Sequence, residues 1–188
     1  MSTATALERA RTETDAVRDS AATPVATAEQ MEITDLVSCQ QAAGVLGEIA
    51  GILKDLDKVI VAVQSDIAAT DKKDVPLLDE FNAAARQLYG LLRQIIAADK
   101  TLRKKYSDYY VLRRFAGENM GALQPMRGVR GGTVTVKMVK DFEIVDSSKL
   151  ERAFMKPDMA AIRRAVEKKA KEIPGVKIVE KPVVSVRE

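Results

Sequence analysis

Two runs of residues with a seven-residue repeat constrain the fold of this chain more than any other feature. The first run has two core positions per repeat, occupied by Cys39, Leu46, Leu53, Ile60 and Ile67 and by Ala42, Ile49, Leu56, Val63 and Thr70. The second run follows Pro76 and has Leu78, Ala85, Leu92, Asp99 and Tyr106 at one position and Phe81, Leu88, Ile95, Leu102 and Tyr109 at the other. This spacing is typical of coiled-coil helices, and only Asp99 interrupts it with a charge.

The two runs fit each other as an antiparallel pair with a turn near Asp74. The facing pairs are then apolar, as in Ile67 with Phe81, Ile60 with Leu88, Leu53 with Ile95, Ala42 with Tyr106 and Cys39 with Tyr109. Large side chains face small ones at the far end, as close packing requires. We therefore predict an antiparallel helical hairpin over residues 31–116, with arms of about 55 to 65 Å at about 1.5 Å per residue.

Several apolar residues lie off this predicted seam and need further cover, because two helices alone form a thin core. They are Ile52, Val59, Val61, Leu91 and Ile96. The C-terminal part of the chain or a second copy of the protein could cover them. We expect a homo-oligomer.

The segments on either side of the hairpin have compositions typical of flexible chain. Residues 1–30 contain mostly Ala, Thr, Ser, Glu and Arg, with few large aliphatic side chains. Burial of such residues does not offset the entropy lost on ordering, so we predict a disordered arm. Residues 117–132 combine glycines with Arg127 and Arg130 and predict a flexible Gly/Arg-rich hinge.

The last part of the chain predicts a strand, a helix and a second strand. From Thr133 apolar and polar residues alternate with the two-residue period of a half-buried strand. A basic helix begins at Pro157 and ends before Pro174-Gly175, and a valine-rich strand follows as far as Arg187. The predicted fold class is α+β, a long antiparallel helical hairpin (coiled coil) followed by a small C-terminal β-α-β module over residues 133–188.

The sequence lacks the residue types that most enzyme chemistry needs. It has no histidine and one cysteine, Cys39, and it contains no phosphate-binding glycine loop and no dinucleotide fingerprint. The acidic residues lack the Glu-x-x-His spacing of metal-binding helical bundles. We therefore predict a protein that is not an enzyme and that holds no cofactor and no metal. Because no run of 18 apolar residues and no leader pattern occurs, we expect it in the cytoplasm, with no membrane partner.

Positive charge is concentrated in the second half of the chain. Residues 76–188 carry 23 basic and 14 acidic side chains, whereas the whole chain has a net charge of +3. Cations here could neutralise phosphates, and an exposed tyrosine could stack on a base. The candidate nucleic-acid-binding residues are Lys100, Arg103, Lys104, Lys105, Tyr110, Arg113, Arg114, Arg127, Arg130, Arg163, Arg164 and Lys168. The alternative is that these cations form the solvated face of a coiled coil whose tyrosines belong to the core.

A set of C-terminal motifs resembles a known family. The motifs are Phe142–Asp146, Phe154–Asp158, Ile162, Ile173–Ile178 and Val184–Arg187. Over residues 132–188 they are similar to the siphovirus coiled-coil early proteins of the dairy streptococcal phage type, in which a long helical region precedes this ending. The plan of a helical hairpin followed by a small strand-helix-strand unit also resembles, in architecture, the Mu-type Gam host-nuclease inhibitors, which bind DNA ends as dimers. These resemblances imply a bacteriophage or prophage protein, and its expected location is then the cytoplasm of the host cell.

Two functions are open from the sequence. The first is a non-enzymatic phage or prophage early protein that binds DNA or a DNA-processing partner, such as a recombination protein or nuclease of phage or host. The second is a coiled-coil interaction or phage assembly protein that does not bind nucleic acid.

Overall fold

The chain forms two compact units. A computed structural model describes residues 3–116, 126–129, 132–149, 159–167 and 173–187. The first unit spans Met1–Thr135 together with Val184–Glu188, and the second unit spans Val136–Val183. The second unit is therefore inserted in the sequence of the first.

The predicted antiparallel hairpin is present in the first unit. Helix α2 runs over Leu36–Ala69 and helix α3 over Val75–Phe115. Asp35 caps the start of α2, because its carboxylate accepts a hydrogen bond from the Ser38 amide at 2.7 Å. The largest fully buried side chains of the hairpin follow the predicted repeat and include Leu46, Ile49, Leu56, Val63, Phe81, Leu88, Ile95 and Leu102. By length and composition alone α2 could cross a membrane, yet 12 of its residues are buried inside this unit, as in a core helix.

Residues 3–30 form a third long helix in place of the predicted disordered arm. Helix α1, Thr3–Gln30, buries a stripe of residues at three- and four-residue spacing: Leu7, Ala10, Thr14, Val17, Ala21, Pro24 and Ala28. Most of these side chains are small, so the backbones of neighbouring helices can approach closely and gain dispersion contacts. The predicted disorder of residues 1–30 is therefore wrong, because small side chains also stabilise a helix when another backbone lies close to it.

Helix α1 runs antiparallel to α2 and parallel to α3. Arg9 pairs with Asp66 at 2.7 Å and Arg11 pairs with Glu80 at 3.1 Å, so the start of α1 lies beside the end of α2 and the start of α3. Ala84, which lies off the predicted hairpin seam, is buried near Thr14 of α1. Part of the cover that the hairpin needs thus comes from the same chain.

The strands form one sheet in the order β1-β2-β3. Strand β1, Met126–Arg127, pairs antiparallel with strand β2, Thr133–Ile144. Strand β3 covers Val176–Arg187. The Val145 amide, just past β2, donates to the Gly175 carbonyl at 2.9 Å, and Asp141 pairs with Lys181 at 2.9 Å. Residue numbers therefore rise along β3 while those of the facing residues in β2 fall. β2 and β3 are therefore antiparallel.

A contact between glycines joins the turn after β1 to α2. Gly128 and Gly132 lie against the backbone of α2, where a Cβ on Gly132 would stand 2.6 Å from the Gly47 Cα, and a Cβ on Gly128 would stand 2.5 Å from the Gly44 Cα. The Gly128 amide also donates to the Gly132 carbonyl at 2.6 Å. This part of the predicted flexible hinge is therefore packed, whereas residues 117–125 and 130–131 lie outside the described residues.

The second unit has its own small core. Helix α4, Met159–Glu167, contributes Ile162 and Val166, which pack with Phe142 of β2 and with Ile173. The predicted start of this helix at Pro157 lies outside the described residues. The α+β class is confirmed, but the β-α-β detail is not, because two antiparallel neighbouring strands flank the helix in sequence.

Candidate nucleic-acid interface

Helix α3 presents one continuous exposed face in its middle. The residues of this face recur at three- and four-residue spacing and are all exposed: Ala83, Arg86, Gly90, Arg93, Ala97, Lys100 and Lys104. We call this set the α3 ridge. Its four cations span about 27 Å along the helix axis at about 1.5 Å per residue. Small residues lie between them at Gly90 and Ala97.

The positive charge of the α3 ridge is not neutralised by neighbouring acids. Between Ala83 and Ser107 the only acidic residue is Asp99. Its Oδ2 accepts from Arg103 Nε at 2.6 Å, and its Oδ1 is buried and has no hydrogen-bond partner in the described part of the chain. The ridge cations form no ion pair with any described residue; they are Arg86, Arg93, Lys100 and Lys104.

Arg103 is a predicted phosphate ligand that instead stabilises the fold. Besides its pair with Asp99, its Nη1 donates to the Val184 carbonyl at 2.8 Å and so ties the end of β3 to α3. The cation also satisfies a backbone acceptor on a strand that has one neighbour in the described sheet. Its guanidinium is therefore already occupied on two sides.

Lys105 is likewise committed to the protein itself. Its Nζ donates to the carbonyls of Glu29 at 2.9 Å and Met31 at 2.7 Å, and it lies 3.5 Å from Glu32 Oε1. A cation at the end of α1 satisfies carbonyls that have no partner within that helix and complements the helix dipole. Lys105 therefore fixes the connection between α1 and α2.

The tyrosines at the end of α3 are core residues. Tyr110 is 8% exposed, and Tyr106 and Tyr109 are also buried, so none of them offers a face for base stacking. Arg113 Nε donates to the Tyr109 hydroxyl at 3.0 Å, with its guanidinium carbon 5.3 Å from the ring centroid. Burial raises the pKa of Tyr106 and also that of the adjacent Cys39 thiol, which keeps both groups neutral.

The remaining predicted residues are spread over other elements. Arg127 is exposed on β1, and Arg163 and Arg164 are exposed on α4 of the second unit. Arg164 Nε donates to the Ala160 carbonyl at 3.2 Å. Arg114 lies near the end of α3, and two predicted residues fall outside the described ones, namely Arg130 and Lys168.

Arg86 and Arg93 are the candidate residues that the sequence reasoning missed. They lie fourteen and seven residues before Lys100, respectively, so a repeat of exposed cations at heptad spacing was present in the sequence. Of the predicted set, the structure places Lys100 and Lys104 on one face with these two arginines.

A groove between α1 and α3 is a weaker candidate for anion binding. It is lined by Arg11, Thr14, Asp15, Arg18, Ala84 and Gln87. Its two arginines already have acidic partners, since Arg11 pairs with Glu80 at 3.1 Å and Arg18 with Asp15 at 2.6 Å. The groove therefore offers little uncompensated charge.

Within the described residues no group of three or more His, Cys, Asp or Glu side chains is placed to hold a metal ion.

No protein-family model, curated protein or solved structure matches the chain. The resemblance of residues 132–188 to the siphovirus coiled-coil early proteins stays a prediction.

Proposed function

We propose that this protein is a non-enzymatic DNA-binding protein that contacts the phosphate backbone through the α3 ridge. The observation that carries the proposal is the row of four exposed cations without acidic partners among the described residues. When such cations neutralise phosphates, the condensed counterions are released and binding gains entropy. The contacts that occupy Arg103 and Lys105 favour the exposed middle of α3 over its distal end as the interface.

The predicted phage or prophage origin fits this proposal. A protein that holds DNA without cutting it would act beside recombination proteins or nucleases of the phage or host. The absence of histidine from the sequence removes the commonest general base of neutral-pH catalysis, which favours binding over chemistry.

Fluorescence anisotropy with labelled DNA, as a duplex and as a single strand, measured over a range of salt concentrations, tests the proposal. A triple variant, Arg86→Gln, Arg93→Gln and Lys100→Gln, removes ridge charge at exposed positions. On a duplex, log affinity falls with log salt, and each lost phosphate contact makes this dependence shallower by about 0.9. The magnitude of the slope should therefore decrease by up to about 2.7 in the triple variant.

A matched control removes three exposed lysines elsewhere, at Lys72, Lys73 and Lys177. This control should leave the slope close to that of the unaltered protein. The proposal is overturned if the unaltered protein shows no salt-dependent binding, or if the control and the ridge variant lose the same affinity.

An interaction or assembly function is the second candidate, and exposed apolar residues at one end of the hairpin favour it. Leu36 and Val37 at the start of α2 are 51% and 60% exposed, and Leu112 near the end of α3 is 69% exposed. Grouped exposed apolar side chains are typical of protein interfaces. Light scattering should then show a mass above that of one chain, reduced by Leu36→Lys with Leu112→Lys. A monomer at every concentration would count against it.

A further inference from the structure

We infer that the DNA bound by the α3 ridge is a duplex, held along its phosphate backbone with Gly90 at the point of closest approach. The inference rests on the proposed function and names the form of nucleic acid and the contact that selects it.

Gly90 has no packing role inside the described protein. It lies in the interior of a 41-residue helix, where glycine is less stable than alanine. A Cβ placed on Gly90 would meet no atom within 4 Å, whereas one on Gly47 of α2 would collide with the backbone of Gly132. The space that Gly90 leaves open therefore faces solvent.

Two arginines flank the open space at Gly90. Arg86 and Arg93 lie one helical turn before and after it on the same exposed face. Because Gly90 has no side chain, the helix backbone is uncovered there, between two long cationic side chains. A phosphate backbone can settle against the helix there and meet a guanidinium on either side.

The length and support of the ridge suit a stiff ligand. Its cations extend over about 27 Å, which corresponds to about eight base pairs at about 3.4 Å per step. Helix α3 packs against α2 along the hairpin seam and against α1 near Ala84, so its row of charge is supported by two other helices. Duplex DNA carries one charge per about 1.7 Å of axis, twice the density of one strand.

The tyrosines argue against single-stranded DNA. Proteins that bind single strands combine cations with exposed aromatic side chains on which the bases stack. Tyr106, Tyr109 and Tyr110 are buried. Tyr89 is 39% exposed beside Gly90, but its hydroxyl accepts a hydrogen bond from Gln64 Nε2 at 2.5 Å, which holds the ring toward α2. Unstacked bases would gain no aromatic partner on this ridge.

A change of bulk without a change of charge tests the inference. Gly90→Leu raises the ridge between the two arginines, and leucine is a good helix former, so the fold is kept. Loss of the two flanking phosphate contacts should weaken duplex binding by about tenfold. Ala68→Leu, at an exposed position on α2, is the matched control and should bind as the unaltered protein does.

The same titrations are run with a single strand of equal length at the same salt concentration. Weaker binding of the single strand, together with loss of duplex binding in Gly90→Leu alone, supports the inference. Equal or tighter binding of the single strand overturns it, as does unchanged duplex binding by Gly90→Leu. Binding of neither form overturns the proposed function as well, so the two failures are distinguishable.

Discussion

Replacing Gly132 by alanine should loosen the contact between the β1-β2 turn and α2. The new Cβ would stand 2.6 Å from the Gly47 Cα and 2.7 Å from the Ala43 carbonyl oxygen. Both are backbone atoms, so neither can rotate away as the end of a flexible side chain can. To reach the ordinary contact distance of 3.4 Å, the turn and the helix must separate by about 0.8 Å.

The free energy of unfolding should fall by about 1 to 3 kcal/mol, the usual cost of overpacking a well-packed site. For a chain of 188 residues, about 2 to 4 °C per kcal/mol converts this to a decrease of about 2 to 12 °C in Tm. Gly90→Ala is the control, and it should raise the free energy of unfolding. Its Cβ meets no atom within 4 Å, so the better helix propensity of alanine should add about 0.5 to 1 kcal/mol.

Thermal melts followed by circular dichroism compare the two variants with the unaltered protein. Hydrogen exchange of the β1 and β2 amides locates the effect, because a loosened turn should exchange faster than the α2-α3 core. A Tm for Gly132→Ala that equals or exceeds that of the unaltered protein, with unchanged exchange at Gly128, would refute the reasoning from the glycine contact.

Three further predictions concern single contacts. Lys105→Met should lower the free energy of unfolding by about 1 kcal/mol and speed amide exchange at the end of α1, because two carbonyls lose their donor. Unchanged amide exchange at the end of α1 would contradict this prediction. The hydrogen bond from Lys181, followed by that from the Phe142 amide, lowers the pKa of Asp141 below 3.8. Its carboxylate therefore contributes stability above pH 3.8 that is lost as pH falls through the lowered value, and an NMR titration should show the pKa rising in Lys181→Gln. Burial raises the pKa of the Cys39 thiol, so a thiol reagent should react slowly with the folded protein and quickly in denaturant; equal rates would show that Cys39 is accessible.

The α2-α3 hairpin could be predicted because its information is local and repeated. Large apolar residues such as Leu88 and Ile95 recur every seven positions, and the two seams constrain each other through one turn. Helix α1 uses the same repeat with residues such as Ala10 and Ala21. Small residues bury well only when another backbone is close, and composition does not reveal that neighbour. The regular spacing of the α1 stripe was the available signal.

The glycine contact and the fixed cations depend on long-range neighbours. In the sequence, Gly128 and Gly132 indicate a flexible segment. In the structure they pack against the backbones of Gly44 and Gly47, which lie more than 80 residues away along the chain. Lys105 resembles a phosphate ligand until its backbone acceptors are known, and those acceptors leave no side-chain pattern in the sequence. Lys100 and Lys104 were predictable as exposed cations because no apolar repeat position includes them.

The inserted order of the two units has a consequence for synthesis. The first unit needs Val184, whose carbonyl accepts from Arg103, but 48 residues from Val136 to Val183 are translated in between. At about 5 to 20 residues per second this takes roughly 2 to 10 s. During that delay α1, α2 and α3 can assemble on the ribosome, while the Arg103 guanidinium has water in place of the Val184 carbonyl. The first unit to begin folding is thus the last to be completed.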